Sequence, residues 1–139
     1  MAQGETGSGA YGREGAGMSK IVIHRVSVEQ IVELSDIQVL RADDKHVTVR
    51  IVGVDWFVKN PKSQKNPTLM ALRTLGAGSH IYASRSALIA VSAIVGRISN
   101  YEIAGHYGAV MRDGQIVKVS RRESAAFNRI YRELVKNNT

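Results

Sequence analysis

The chain contains no cysteine among its 139 residues. That excludes disulfides, thiolate zinc sites and a thiol nucleophile, and it suits a cytosolic protein. Long apolar runs are missing too. The longest, roughly Ala87 to Val95, is broken by Ser92 and falls far short of the ~20 residues a membrane span needs. There is no secretory signal pattern. Aromatics make up only 6 % of the chain, which argues against recognition of RNA by stacking. Catalytic signatures are absent as well. Ser84 and Ser86 lack a Gly-x-Ser-x-Gly elbow, and Gly76-Ala77-Gly78 does not continue into a Gly-Lys-Ser/Thr phosphate loop. His24, His80 and His106 show no metal-ligand spacing. The sequence therefore points away from an enzyme, a metal site, a cofactor or an evident small-molecule ligand.

What is present is positive charge. The formal net charge is +7, from 19 basic and 12 acidic side chains. Apolar residues at 44 % and charged residues at 22 % make an ordinary globular balance, with room for one domain and one sizeable core. The first 17 residues hold six glycines, two acids and one arginine without periodicity. Residues 1–20 read as a disordered leader or a remnant of expression engineering, with Met18 a plausible natural start. The remainder, 21–139, forms the domain, near +8 once the first 17 residues are set aside. The partner such a charge suggests is a polyanion, nucleic acid first.

The pattern along the domain is mostly β. Ile21–Ile23 and Gln30–Leu34 are short branched-apolar runs, the second open to a helical reading capped by Ser27. Ile37–Arg41 alternates with period two, and His46–Val52 with Asp55–Lys59 predicts a hairpin around Gly53. Asn66 as N-cap, Pro67 at the first helical position and Gly76 past the end bracket a short helix with a Leu69, Leu72, Leu75 stripe. Ile81-Tyr82 is a brief strand and Ser84–Ile94 an irregular apolar segment. Arg97–Ile103 and Gly108–Arg112 are strands, and Asp113-Gly114 signals a type I′ hairpin into Gln115–Val119.

The junction that follows is the most informative part. Ser120 and Glu123 have capping-box spacing, and Phe127, Ile130, Tyr131 and Leu134 recur with helical period. Arg121 and Arg122 then occupy the first turn, where the helix dipole disfavours cations. An arrangement that costs stability locally points to an anion arriving from outside.

These landmarks, in this order, resemble the LytTR family of bacterial DNA-binding domains. Ser35-Asp36-Ile37 with Leu40-Arg41-Ala42, Lys45 to Val49, Thr68-Leu69 to Leu75, Ile81 to Ser86, and Asp113-Gly114-Gln115 to Val119-Ser120-Arg121 carry the resemblance, which spans about Ile21 to Lys136. It implies a mostly β fold: an elongated sandwich of antiparallel sheets with one short helix and a C-terminal helix. It also implies duplex DNA read by loops entering the major groove, in a cytoplasmic bacterial transcriptional regulator, and a homodimer on repeated sites is compatible with that mode. Carried over by position, His46, Arg85 and Arg121 would contact bases. Lys45, Lys62, Ser84, Ser86 and Arg122 would contact phosphates. Arginine can donate two parallel hydrogen bonds to guanine O6 and N7, and phosphate contacts hold register without reading sequence.

Plainer readings stand beside these. Arg121 and Arg122 could be solvated surface, Arg85 could form an internal ion pair with Asp36 or Glu102, and His46 could only close a turn beside Asp43 and Asp44. Lys59, Lys62 and Lys65 form a basic loop that is either solvated or bound to phosphate. Trp56 and Phe57 look like packing residues, with base stacking the sharper alternative. The rival function is a degenerate LytTR-like module that holds a partner regulator instead of DNA, an idea resting on Ser84 and Ala90 where the family pattern differs.

Overall fold

A computed structural model describes residues 19–43, 46–59 and 68–138. Strands β1 (Lys20–Arg25), β2 (Val28–Glu33), β3 (Val39–Asp43), β4 (His46–Ile51), β5 (Val54–Lys59), β6 (His80–Ser84) and β7 (Ala87–Ala90) form one antiparallel sheet of order β2-β1-β5-β4-β3-β7-β6. Strands β8 (Ile94–Ser99), β9 (Tyr107–Met111) and β10 (Ile116–Val119) form a second, of order β10-β9-β8. Helix α1 (Leu69–Gly76) lies between β5 and β6, and α2 (Arg121–Asn137) follows β10. The expected class, antiparallel sheets with one short and one C-terminal helix, is the one found.

Period-two alternation builds the first core. Ile21 and Ile23, Val47 and Val49, Val58, Leu40 and Leu88 point to one face of the large sheet and close against Leu69 and Leu72 of α1. Val39, Ala87 and Ile89 belong to the opposite face, where they meet Ala109, Met111, Val117 and Val119 of the small sheet and Phe127 of α2. Strand β7 thus serves both cores and is buried at all four positions. A strand buried on both faces reads as a continuous apolar run. That is why the stretch expected to be irregular is a strand, followed by a 3-10 turn at Val91–Ala93.

Other local expectations are corrected by tertiary contacts. Asn66 and Pro67 lie outside the described residues, and the N-cap of α1 is Thr68, whose hydroxyl accepts from Ala71 N–H at 3.1 Å. The left-handed residue ending α1 is Ala77 (φ 51°), not Gly76. Gly76 is needed for close approach instead, since a Cβ there would sit 2.5 Å from Ser79 Oγ and 3.2 Å from Leu34 Cδ2. Leu75 is 44 % exposed, outside the buried stripe. Residues 28–33, by contrast, pair with β1 as the strand that their branched-apolar run indicates, and the alternative helical turn does not form. The strand expected over 97–103 ends at Ser99 and gives way to a loop. At Asp113-Gly114 only the glycine has positive φ. Gly114 N–H donates to Met111 O and Met111 N–H to Gln115 O, a three-residue loop with a left-handed third position instead of a type I′ turn.

Candidate nucleic-acid interface

Backbone pairing brings three separate parts of the chain to one end of the molecule. At the β3–β4 hairpin, Asp43 pairs with His46. Next to it, Ala42 N–H donates to Ser86 O at 2.8 Å, placing the hairpin beside the β6–β7 turn that carries Arg85. The pairing of β6 with β7 is irregular between Tyr82 and Ser84, which turns Ala83 O out of the ladder. Ser120 N–H donates to that carbonyl at 2.8 Å and so fixes the start of α2 against the same turn. His46, Arg85 and Arg121, separated by up to 75 positions in sequence, become neighbours in arrangement through two backbone hydrogen bonds.

The same bond explains why the predicted capping box is absent. Its Ser120 N–H, which the Glu123 carboxylate would hold, is already donated to Ala83 O, and the Ser120 hydroxyl makes no cap bond. Glu123 N–H donates to the Ser120 carbonyl instead, and Ser124 Oγ donates to Arg121 O.

Each expected base-reading side chain has a distinct setting. Arg85 is exposed at the tip of its turn, and its side chain has no partner among the described residues, so the pairing with Asp36 or Glu102 does not form. Glu102 lies 3.8 Å from Lys118 Nζ instead. Ser84 builds the turn from within: its Oγ accepts Ser86 N–H at 3.2 Å and lies 3.3 Å from Ser86 Oγ. His46 is exposed, with its ring 5.2 Å from the Phe57 ring.

Arg121 folds back from the helix terminus, and its Nη2 donates to Ala104 O at 2.9 Å. It does so across Gly105, where a Cβ would come within 3.0 Å of Arg121 Nε. The loop holding that glycine runs from Asn100 to His106 and includes Asn100 (φ 53°), Glu102 (φ 64°) and Gly105 (φ 84°) in left-handed conformations. Gly105 N–H donates to Asn100 Oδ1 at 3.1 Å, closing the loop on itself. The cation that the helix dipole disfavours is thus partly satisfied by a carbonyl, with most of its donors still outward. Arg122 is exposed beside it and has no partner among the described residues.

A search of solved structures finds the same architecture in the LytTr DNA-binding domain of a Bacillus cereus protein described as a methyl-accepting/DNA response regulator. The TM-score is 0.67 at 20 % identity, covering 83 % of this chain and 98 % of that one. The fold is of the LytTR type. No family model matches the chain, and no curated protein does. The likeness in architecture, across nearly the whole of that LytTR-type domain, agrees with the landmarks read along the sequence.

Lys45, Lys62 and Lys65 lie outside the described residues. Lys59 ends β5 in an ion pair, its Nζ 2.7 Å from Glu29 Oε2, and that hydrogen bond lowers the Glu29 pKa. Trp56 packs half-buried against the first core with the Arg25 guanidinium 5.7 Å over its ring. Phe57 does not pack inward. It stands on the opposite face, 42 % exposed, between the His24 and His46 rings. Sequence reasoning missed the Asn100–His106 loop. Its only signals were a turn-forming asparagine, Asn100, within what looked like a strand over 97–103, and a glycine, Gly105, two residues beyond it. No cluster of three or more His, Cys, Asp or Glu suited to a metal ion occurs among the described residues, and no helix there is long and apolar enough to cross a membrane.

Proposed function

We propose that the chain is a non-catalytic, sequence-specific duplex DNA-binding domain acting as a bacterial transcriptional regulator in the cytoplasm. The observation that carries this reading is the convergence of His46, Arg85 and Arg121 at one end of a LytTR-type fold. Each sits on a different connection or element end, and each is exposed. Loops spaced this way can enter a major groove from one side, and the two arginines carry the donor forks that guanine accepts. Ser86 and Arg122 flank them as phosphate contacts. Ser84 shapes the turn and so presents Arg85. Lys45 and Lys62 complete the phosphate set on sequence grounds.

The experiment selects bound duplexes from random and genomic pools, then measures affinity of variants on the selected site and on random DNA. Arg85→Ala and Arg121→Ala each cost about 1–3 kcal/mol on the selected site and much less on random DNA. Arg122→Ala weakens both about equally, because phosphate carries no sequence information directly. If no sequence is enriched, or if both arginine variants leave the specificity ratio unchanged, the reading is wrong.

A further inference from the structure

The large sheet has a second face, and its unspent hydrogen-bond donors gather in a hollow there. Arg41 on β3 is the cross-strand neighbour of Thr48 on β4, and Arg50 on β4 is that of Asp55 on β5. With Val39 and Gln115 they line a hollow of about 330 Å³. Gln115 comes from the β9–β10 hairpin, which is tied to the sheet where Asp113 N–H donates to Gln38 Oε1 at 3.0 Å. The hollow is therefore walled by both sheets.

The balance of donors and acceptors decides what it can hold. Two acids stand nearby, and both are engaged. Asp55 accepts from Arg50 Nε at 2.9 Å and Nη2 at 3.4 Å, and Asp113 accepts from the Gln115 backbone at 3.0 Å and its Nε2 at 2.6 Å. Arg41 and Thr48 make no side-chain hydrogen bond or ion pair with another described residue. An arginine has five N–H donors, so Arg41 has all of its own to offer and Arg50 retains those not given to Asp55. What remains over is donor capacity from two adjacent strands, and that complements an oxyanion. A planar carboxylate is satisfied by one fork, whereas a tetrahedral phosphoryl group presents oxygens in several directions at once. By volume the hollow holds the equivalent of about ten waters. That leaves room for a phosphoryl group together with whatever carries it.

We propose that this hollow is a phosphoryl-binding site, with Arg41 as bidentate donor, the Thr48 hydroxyl as a further donor and the outer N–H groups of Arg50 facing the charge. It is distinct from the residues proposed to read bases, because the Arg41–Thr48 pair lies two positions along the ladder from Asp43–His46. The phosphoryl group can come from a phosphorylated small molecule or from a nucleic-acid backbone laid along the sheet.

The test uses the full chain free of DNA, titrated with methyl phosphate and followed by calorimetry and by NMR of the arginine Nε–H and Gln115 amide signals. Saturable binding is expected, with shifts at Arg41 and Gln115. Arg41→Ala should weaken it about tenfold or more, Thr48→Val by less, and the exposed Arg132→Ala not at all. Arg41 is exposed, so its loss should leave the melting temperature within a degree or two, which is checked in parallel. No saturable binding, or equal weakening by Arg41→Ala and Arg132→Ala, overturns the site. A second arm repeats duplex titrations with methyl phosphate present. Competition, with Arg41→Ala also lowering DNA affinity, identifies the backbone as the source. Unchanged DNA affinity with the hollow filled identifies a small molecule. Because the first arm contains no DNA, its outcome is independent of whether the domain reads sequence.

Discussion

At the scale of single residues, the informative side chains are those whose environment contradicts their usual preference. His80 is 2 % exposed, with Nε2 donating to Ile37 O at 2.7 Å and Nδ1 2.7 Å from Ser79 Oγ. Burial pushes its pKa below the ordinary 6.5, against the opposing pull of the Ile37 hydrogen bond. The unfolded chain therefore takes up a proton at a pH where the folded ring stays neutral. Stability from this group is present above the unfolded pKa of about 6.5 and drains away as pH falls below it. Melting curves of His80→Gln should lose part of that acid slope, and parallel curves for the two proteins would remove the ring as its source. Arg121 gives a second case. Gly105→Ala places a Cβ against the guanidinium and forces an alanine into positive φ. It should cost about 1–2 kcal/mol of stability and displace Arg121, so affinity for the selected duplex should fall more than the stability loss accounts for. Unaltered affinity would mean that the perch on Ala104 O has no part in recognition.

Elements carry their own tests, at caps and turns. The spacing of Ser120 and Glu123 implies a reciprocal cap, yet the backbone N–H it needs is committed to Ala83 O. Ser120→Ala should therefore change stability by less than about 0.5 kcal/mol, whereas Thr68→Ala, which removes a cap bond to Ala71 N–H, should cost about 1 kcal/mol. Equal costs in denaturant melts would contradict this assignment of caps. The β4–β5 turn offers the opposite sign. Val52 and Gly53 both have positive φ, and Val52 is 96 % exposed, so a β-branched side chain sits in a left-handed conformation with no burial to offset it. Asn-Gly is the preferred pair for such a turn. Val52→Asn should raise the melting temperature, by an amount corresponding to about 0.5–1 kcal/mol. A drop would show that Val52 is held by a contact the isolated chain lacks.

For the molecule as a whole, charge and topology act together. A domain near +8 that neutralises about six phosphates should show log K falling with log salt at a slope of roughly −5. Titrations of a random duplex over a salt series measure it, and a flat response would remove the electrostatic part of the proposed function. Cooperativity across the two cores should be equally visible. Leu88 and Ile89 are adjacent and fully buried but belong to different cores. Truncating either to alanine should cost about 2–5 kcal/mol, and both variants should still melt in a single transition, since β7 is shared. Two separate transitions would mean that the cores unfold independently.

Much of this was legible in one dimension. Alternation in His46–Ile51 and Val54–Lys59, the helical period through Phe127, Tyr131 and Leu134, and the excess of cations are local properties, so the chain by itself determined a mostly β, basic domain closed by an amphipathic helix. The joints at Ile81–Ser86 and Val119–Arg121 were legible for the same reason, each being a short run of adjacent residues. What the tertiary structure alone decided was where non-local hydrogen bonds go. Ala83 O takes the Ser120 N–H that a capping box would have used, Ser86 O takes Ala42 N–H, and Ala104 O takes a donor of Arg121. The burial of β7 on both faces, the loop at Asn100–His106 and the hollow between Arg41 and Gln115 have the same origin. A donor's partner is set by which carbonyl the folded chain delivers to it, and no spacing within a sequence encodes that delivery.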